Sequence, residues 1–245
     1  MKTLRPLLIL LLLSTGCAMD SVLLLDDGNF ASESRELPAF SRLDHGLAAT
    51  VFLSQGPNRE VVLQGGDKVL PHIETYVVGD VLMLSSNANI PPGSDPINIY
   101  ITLPEVAGLK VSGSGSISNL TAIESGQIEL IVSGSGDINL SGLFAPVVSA
   151  IVPGSGEIFF SRPDDELLRS QQVSHFIDIS GSGRVAAFAS TCHYARVDIS
   201  GSGNAEVYTY DELEVGISGS GNLYYKGYPT ISSSLTGSGR IFPVN

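Results

Sequence analysis

Tryptophan is absent from this 245-residue chain, and cysteine occurs only twice, at Cys17 and Cys192. A disulfide-stapled scaffold is therefore excluded, because small secreted domains of that kind are dense in cysteine. Basic residues are also scarce: 13 Lys plus Arg stand against 25 Asp plus Glu, for a net charge of −12. Proteins that hold phosphate backbones need basic patches that displace counterions, so nucleic acid is not an expected partner. Long apolar runs are missing too. The longest, residues 7–13, is far short of the roughly 20 residues that a membrane-spanning helix needs.

That short run has a different meaning. Lys2 and Arg5 precede it and Ser14-Thr15-Gly16-Cys17 follows it, which is the layout of an export signal. The four residues resemble a bacterial lipobox, with Ser14 where Leu is usual. Residues 1–16 then read as a lipoprotein-type signal peptide with Cys17 as the lipidation site; the alternative is plain secretion, since Ser14 and Gly16 also suit an ordinary signal peptidase cutting before Cys17. The expected location is the cell envelope, on the outer membrane, with the membrane reached through the lipid anchor. A lipidated Cys17 cannot form a disulfide, which leaves Cys192 as a lone cysteine, tolerable in an oxidising compartment if buried. Cys192 next to His193 does not suggest a catalytic pair, since neighbours on a strand point to opposite faces. Residues 17–37 are mostly polar, with Asp26, Asp27, Glu33 and Glu36, and read as a tether.

What the chain has in abundance is glycine, in a pattern. Gly-Ser-Gly occurs seven times, with its glycines at Gly113 and Gly115, Gly134 and Gly136, Gly154 and Gly156, Gly181 and Gly183, Gly201 and Gly203, Gly219 and Gly221, and Gly237 and Gly239. Successive copies start 21, 20, 27, 20, 18 and 18 residues apart. A near-constant period of about 20 is the mark of stacked repeats. Two residues before each motif stand Val111, Val132, Val152, Ile179, Ile199, Ile217 and Leu235. Two residues after it stand Ile117, Ile138, Ile158, Val185, Ala205, Leu223 and Ile241. The residue directly after the motif is polar in every copy. This period-two alternation predicts a strand on each side of the motif, apolar side inward.

Each motif is then a corner, with a second turn between motifs at Ser125-Gly126, Ser141-Gly142, Asp211-Glu212 and Gly227-Tyr228-Pro229. The glycines are expected to supply positive φ at the corner and to let successive corners stack closely. The middle serines, Ser114 through Ser238, are expected to form a hydrogen-bonded ladder. The 27-residue interval holds a charged insertion at residues 161–172. Residues 38–104 are strand-like without the motif, as a capping first segment should be, and residues 105–245 carry the repeats.

Several of these segments together resemble the family of auto-transporter adhesin head domains. They are Phe40-Ser41-Arg42-Leu43, Val51-Phe52-Leu53-Ser54-Gln55-Gly56, residues 73–82 and 99–104, and Leu109-Lys110-Val111-Ser112-Gly113-Ser114-Gly115. The resemblance spans residues 38–245. It implies a right-handed parallel β-helix, all-β, in envelope proteins that often carry lipoprotein signals. One departure is residues 44–48, Asp-His-Gly-Leu-Ala, where a regular strand would be expected. The resemblance supplies no catalytic or ligand-binding residues.

Gly-Ser-Gly after a strand invites a phosphate-loop reading, but a dinucleotide fingerprint needs a third glycine three residues on and then a helix. Those positions are Ser118, Asn139, Phe159, Ala186, Glu206, Tyr224 and Phe242. No cofactor or metal is expected. His175 and His193 precede motifs, and Asp178 and Asp198 fall in equivalent places in adjacent repeats, where stacked carboxylates could meet a cation. The aromatics Phe159, Phe160, Tyr208, Tyr210, Tyr224, Tyr225, Tyr228 and Phe242 could hold sugar rings if they face outward.

The sequence reading is a non-enzymatic scaffold for adhesion, contacting a glycan or a protein surface. A polysaccharide-acting enzyme is the alternative, with Arg162, Asp164, Asp165, Glu166 and Arg169 of the insertion as its best candidates. A third reading is a structural protein forming homo-oligomers through exposed sheet edges.

Overall fold

A computed structural model of the chain describes residues 29–90, 95–161 and 172–244. Cys17, the signal segment and the charged residues of the insertion lie outside these residues. The described chain is all-β, with a single 3-10 turn at Leu70–His72. Nearly all strands belong to one large, mostly parallel sheet that does not close into a barrel.

The sheet has two tiers, one on each side of the Gly-Ser-Gly corners. Before the corners, Gly108–Val111, Gln127–Val132, Val147–Val152 and Gln172–Ile179 stack in parallel. After them come Ser116–Asn119, Asp137–Ser141 and Glu157–Ser161. Two long strands, Arg184–Ile199 and Asn204–Ile217, run through the second turn and belong to both tiers. Thr230–Leu235 and Ile241–Pro243 end the stack. A two-strand pair, Ile123–Glu124 with Leu143–Phe144, forms a short third side.

Register follows the motif. Ile179, Ile199, Ile217 and Leu235 are successive partners in the first tier, and Ile158, Val185, Ala205, Leu223 and Ile241 in the second. All but the last of each column are buried. Removing one aliphatic side chain of this size from water is worth about 1.5–3 kcal/mol, so every repeat adds to one continuous core. The outward residue after the motif ties neighbours together as well. Asp137 Oδ1 accepts from the Glu157 N–H at 2.9 Å, and Asn204 Oδ1 from the Asn222 N–H at 2.9 Å. Arg184 bridges Glu157 and Glu206 on the repeats before and after it.

The corners correct one expectation and sharpen another. None of the motif glycines has positive φ; among the described residues only Gly79, Gly142 and Gly227 do. What the motif glycines provide is absence of a Cβ. A Cβ on Gly134 would lie 2.0 Å from the Gly113 carbonyl oxygen, and one on Gly156 would lie 1.8 Å from that of Gly136. The stack is held by backbone bonds, such as Ser155 N–H to Gly134 O and Ser182 N–H to Gly154 O, both 3.0 Å. The expected serine ladder is reduced to one hydroxyl bond among the described residues, Ser238 to Ser220 at 3.0 Å.

The irregular residues 44–48 also find an explanation. His45 pairs with Val111 and Thr50 with Ser116, so Leu47-Ala48-Ala49 occupies the corner position of one further repeat. Missing Cβ atoms at Gly113 and Gly115 would point back at the carbonyls of Gly46, Leu47 and Ala49. A corner needs glycine only where another corner stands on the side its Cβ faces. On that side of residues 46–49 the chain leaves the corner path after Val81–Ser86, so side chains are admitted there.

Three antiparallel strands finish this end. Ile73–Val78 pairs with Val81–Ser86, and Glu60–Gly66 pairs with Asn98–Leu103 and with Phe30–Ser34. Phe30–Ser34 falls within the stretch expected to be tether, so the folded part begins earlier than the polar composition suggests.

Candidate binding surface at the second turn

The second turn of the last repeats is where through-running strands expose aromatic side chains. In Arg184–Ile199 and Asn204–Ile217 the register shifts between Ala187 and Thr191 and again between Cys192 and Tyr194. These bulges let the strands bend without ending. Alternation then sends Cys192 and Thr209 inward and His193 and Tyr210 outward.

The inner side is tightly satisfied. Thr209 Oγ1 bonds the carbonyls of His193 at 3.0 Å and Glu212 at 3.3 Å. Cys192 is buried, and burial pushes its thiol up to about 11, which disfavours the thiolate at pH 7. His175 is buried as well, stacked on Phe160 with ring centres 6.3 Å apart, and its Nε2 is 3.3 Å from Ser190 Oγ. Loss of hydration holds its imidazole down at about 4, so His175 is neutral at pH 7.

The outer side is a column. Tyr210 lies 6.0 Å from the His193 ring and 5.1 Å from Tyr208. Tyr208 pairs with Lys226 and Glu212 with Thr230, which places Tyr228 one repeat beyond Tyr210. Gly227, at φ 96°, turns the chain there; its missing Cβ would lie 2.1 Å from the Thr209 oxygen. Tyr228 is left 91% exposed and Tyr210 48% exposed. His193 Nδ1 sits 2.8 Å from Asp211 Oδ2, and Lys226 Nζ lies 4.6 Å over the Phe188 ring. The column thus offers aromatic faces beside a carboxylate and phenol hydroxyls. That is the chemistry which stacks on the C–H face of a sugar or a peptide side chain and bonds its polar edge.

The other candidate residues separate. His175 and His193 are on opposite sides of the sheet. Asp178 and Asp198 are register partners as expected, but Asp198 is tied to Arg196 Nε at 2.9 Å and leans over Gly216. They line a shallow hollow of ≈ 270 Å³ with Ser200, Ser218 and Ser234. Of the aromatics, Phe160 is in the core and Tyr225 packs against it. Tyr224 stacks on Phe242 at 5.3 Å on the outer face of the second tier, where Phe159 is also exposed.

A hollow of ≈ 310 Å³ near the capped end is floored by Val78, Val81, Met83 and Ile131. Its cations are already paired, Arg42 with Glu129 at 2.8 Å and Lys110 with Asp44 at 2.7 Å. The partnership of His193 with Asp211 was not foreseen from the sequence. A signal for the column was present, since Tyr210 and Tyr228 each stand nine residues after the first glycine of their motif.

A family model described as "Putative auto-transporter adhesin, head GIN domain" matches residues 39–229. No curated protein matches the chain significantly. Among solved structures, a "putative adhesin" from Bacteroides fragilis superposes with a TM-score of 0.81 at 19% identity, covering 89% of this chain and 99% of that one. A "putative lipid binding protein" from Parabacteroides distasonis gives 0.69 at 23% identity, covering 90% and 98%. A "putative adhesin" from Parabacteroides merdae gives 0.69 at 18%, again covering 90% and 98%. At these identities the likeness is one of fold.

Proposed function

Because this chain belongs to the family of auto-transporter adhesin head GIN domains, we propose that it is a non-enzymatic binding module of the cell envelope. The module holds the second-turn aromatic column out to a glycan or a protein surface. Its repeats wind as a right-handed parallel β-helix. Support for the handedness is general: crossovers joining parallel strands of one sheet are right-handed in nearly all proteins.

The observation that carries the binding role is the column His193, Tyr210 and Tyr228. Large aromatics are costly to leave in water, and Tyr228 is almost fully exposed. A panel of immobilised glycans and extracellular-matrix proteins, probed with the mature chain, tests the reading. The double variant Tyr210→Ala, Tyr228→Ala should bind its best target at least about tenfold more weakly, as two lost aromatic contacts of about 1 kcal/mol each require. The variant should still unfold cooperatively, its melting temperature lowered only by loss of the Tyr210 contacts to Tyr208 and His193. Failure to capture any target, or capture indifferent to the double variant, sinks the assignment.

Export and anchoring rest on Lys2, Arg5, the apolar run and Cys17. Among the described residues no helix is long and apolar enough to cross a membrane. An acylated Cys17 is the proposed attachment. Cells fed a clickable fatty acid should label the wild-type chain and not the Cys17→Ala chain. Protease added to intact cells should degrade the protein if the column faces outward. Label retained by Cys17→Ala would refute the anchor.

A further inference from the structure

The two ends of the stack differ. At one end antiparallel strands cover the core. At the other, among the described residues, Thr230–Leu235 is paired only with Asn204–Ile217, and Ile241–Pro243 only with Leu223–Lys226. Every residue from Thr230 to Ser238 is exposed. Ile231 and Leu235 are 39% and 48% exposed, although their partners one repeat earlier, Leu213 and Ile217, are buried. The core is cut across here, and one backbone edge of each strand is open among the described residues.

Edge strands are ordinarily blunted with charge, proline or a bulge. Thr230-Ile231-Ser232-Ser233-Ser234-Leu235 has none of these. From Tyr228 to Asn245 the single charged side chain is Arg240, in a chain of net charge −12. Two copies can therefore meet at this end without carboxylates opposing each other. The strands at the other end, Phe30–Ser34 and Ile73–Val78, carry Glu33 and Glu74.

The inward positions are also self-complementary. Ile231, Ser233 and Leu235 read large, small, large, symmetric about Ser233. An antiparallel pairing keeps side chains of one face opposite one another. Centred on Ser233, it sets Ile231 against Leu235 of the partner subunit and Ser233 against Ser233 of the partner subunit.

We propose that this C-terminal repeat is a two-fold interface, in which Thr230–Leu235 pairs antiparallel with the same strand of a second copy. Such a contact closes on itself and stops at the dimer, unlike head-to-tail stacking. The inference is independent of the ligand reading but bears on it. Tyr228 precedes the interface strand by two residues, so dimerisation brings two aromatic columns onto one particle. A surface-displayed target then meets two sites at high effective concentration.

The test uses the mature chain with Cys17→Ser, so that no lipid drives association. Sedimentation velocity and light scattering should give a dimer in the micromolar range. Leu235→Lys places a charge where the dimer would bury it, and should raise the dissociation constant by about 100-fold or more. Mild oxidation of Ser233→Cys should give a covalent dimer on a non-reducing gel, whereas Ser232→Cys, set against Ser234 of the partner subunit, should not. Circular dichroism melts confirm that each variant is folded. A monomer at 100 μM with no Ser233→Cys cross-link (the concentration is about a hundredfold above a micromolar constant) overturns the proposal. A dimer insensitive to Leu235→Lys, or polymers that lengthen with concentration, overturn it too.

Discussion

Gly156→Ala should be among the most damaging single-methyl substitutions in this chain, costing about 3 kcal/mol or more by the upper range for overpacked sites. The added Cβ would stand 1.8 Å from the Gly136 oxygen and 2.8 Å from Val132 Cγ1. Neither neighbour is free to move. Gly136 N–H is itself bonded to Gly113 O at 3.2 Å, and buried Val132 accepts at its carbonyl from the Gly154 N–H at 3.1 Å. Relieving the contact means opening one repeat from the next, which breaks those bonds and uncovers the columns beneath. Two controls separate contact from conformation. Gly79, at φ +65° with open space around it, should lose about 1 kcal/mol on replacement by Ala, from backbone strain alone. Gly126, with open space and no positive φ, should change by less than about 0.5 kcal/mol. Urea and thermal melts followed by circular dichroism measure all three. If Gly156→Ala stays within about 1 kcal/mol of wild type, the steric account of the corner is wrong.

That contrast also marks how far the sequence could be read. Spacing and alternation identified the strands on both sides of every motif because burial on a pleated face imposes period two, which is a local property. The family resemblance came from particular segments, Phe40–Leu43, Val51–Gly56, residues 73–82 and 99–104 and Leu109–Gly115. The reason for the glycines was not local. A single corner looks as if it needs an unusual φ, and only the neighbouring repeat reveals that it needs room. For the same reason the corner at Leu47-Ala48-Ala49 could not be recognised: with no corner stacked on its Cβ side, it has no need of glycine. Phe30–Ser34 was hidden because an exposed edge strand alternates polar residues with small ones and looks like tether. Tyr210 and Tyr228 were visible as residues but not as a column, since bulges near Thr191 and Tyr194 shift His193 out of simple register. Asp211 read as a turn residue, and only the fold sets it against His193.

Acid should weaken the protein well before its carboxylates are titrated, because two histidines are buried in the neutral form. His175 is held at about 4, by loss of hydration. His45 is lowered chiefly by burial, against the opposing pull of its bond to the Ala49 carbonyl and of Asp44 nearby. In the unfolded chain both sit near 6.5. Between the two values the unfolded state binds the proton and the folded state does not, so the full stability is present above pH 6.5 and falls as the pH drops towards 4. At about 1.4 kcal/mol per pH unit, His175 alone accounts for a loss of about 3 kcal/mol across that window. Below its folded value His175 adds nothing more. Of the described groups, the Phe160 ring stacks on it and the Ser190 hydroxyl lies 3.3 Å from Nε2, and neither of these can neutralise an imidazolium. Urea midpoints at pH 7.5, 5.5 and 4 should therefore decline steeply in the wild-type chain. His175→Leu should remove about 3 kcal/mol of that decline, whatever its effect on stability at pH 7.5. His45→Leu should remove a further share. A titration of the imidazole protons by NMR, with the His175 resonance unmoved until the pH falls below 5, would give the same answer directly. A wild-type decline that persists unaltered in both variants would place the acid sensitivity in the carboxylates and end this account of the buried histidines.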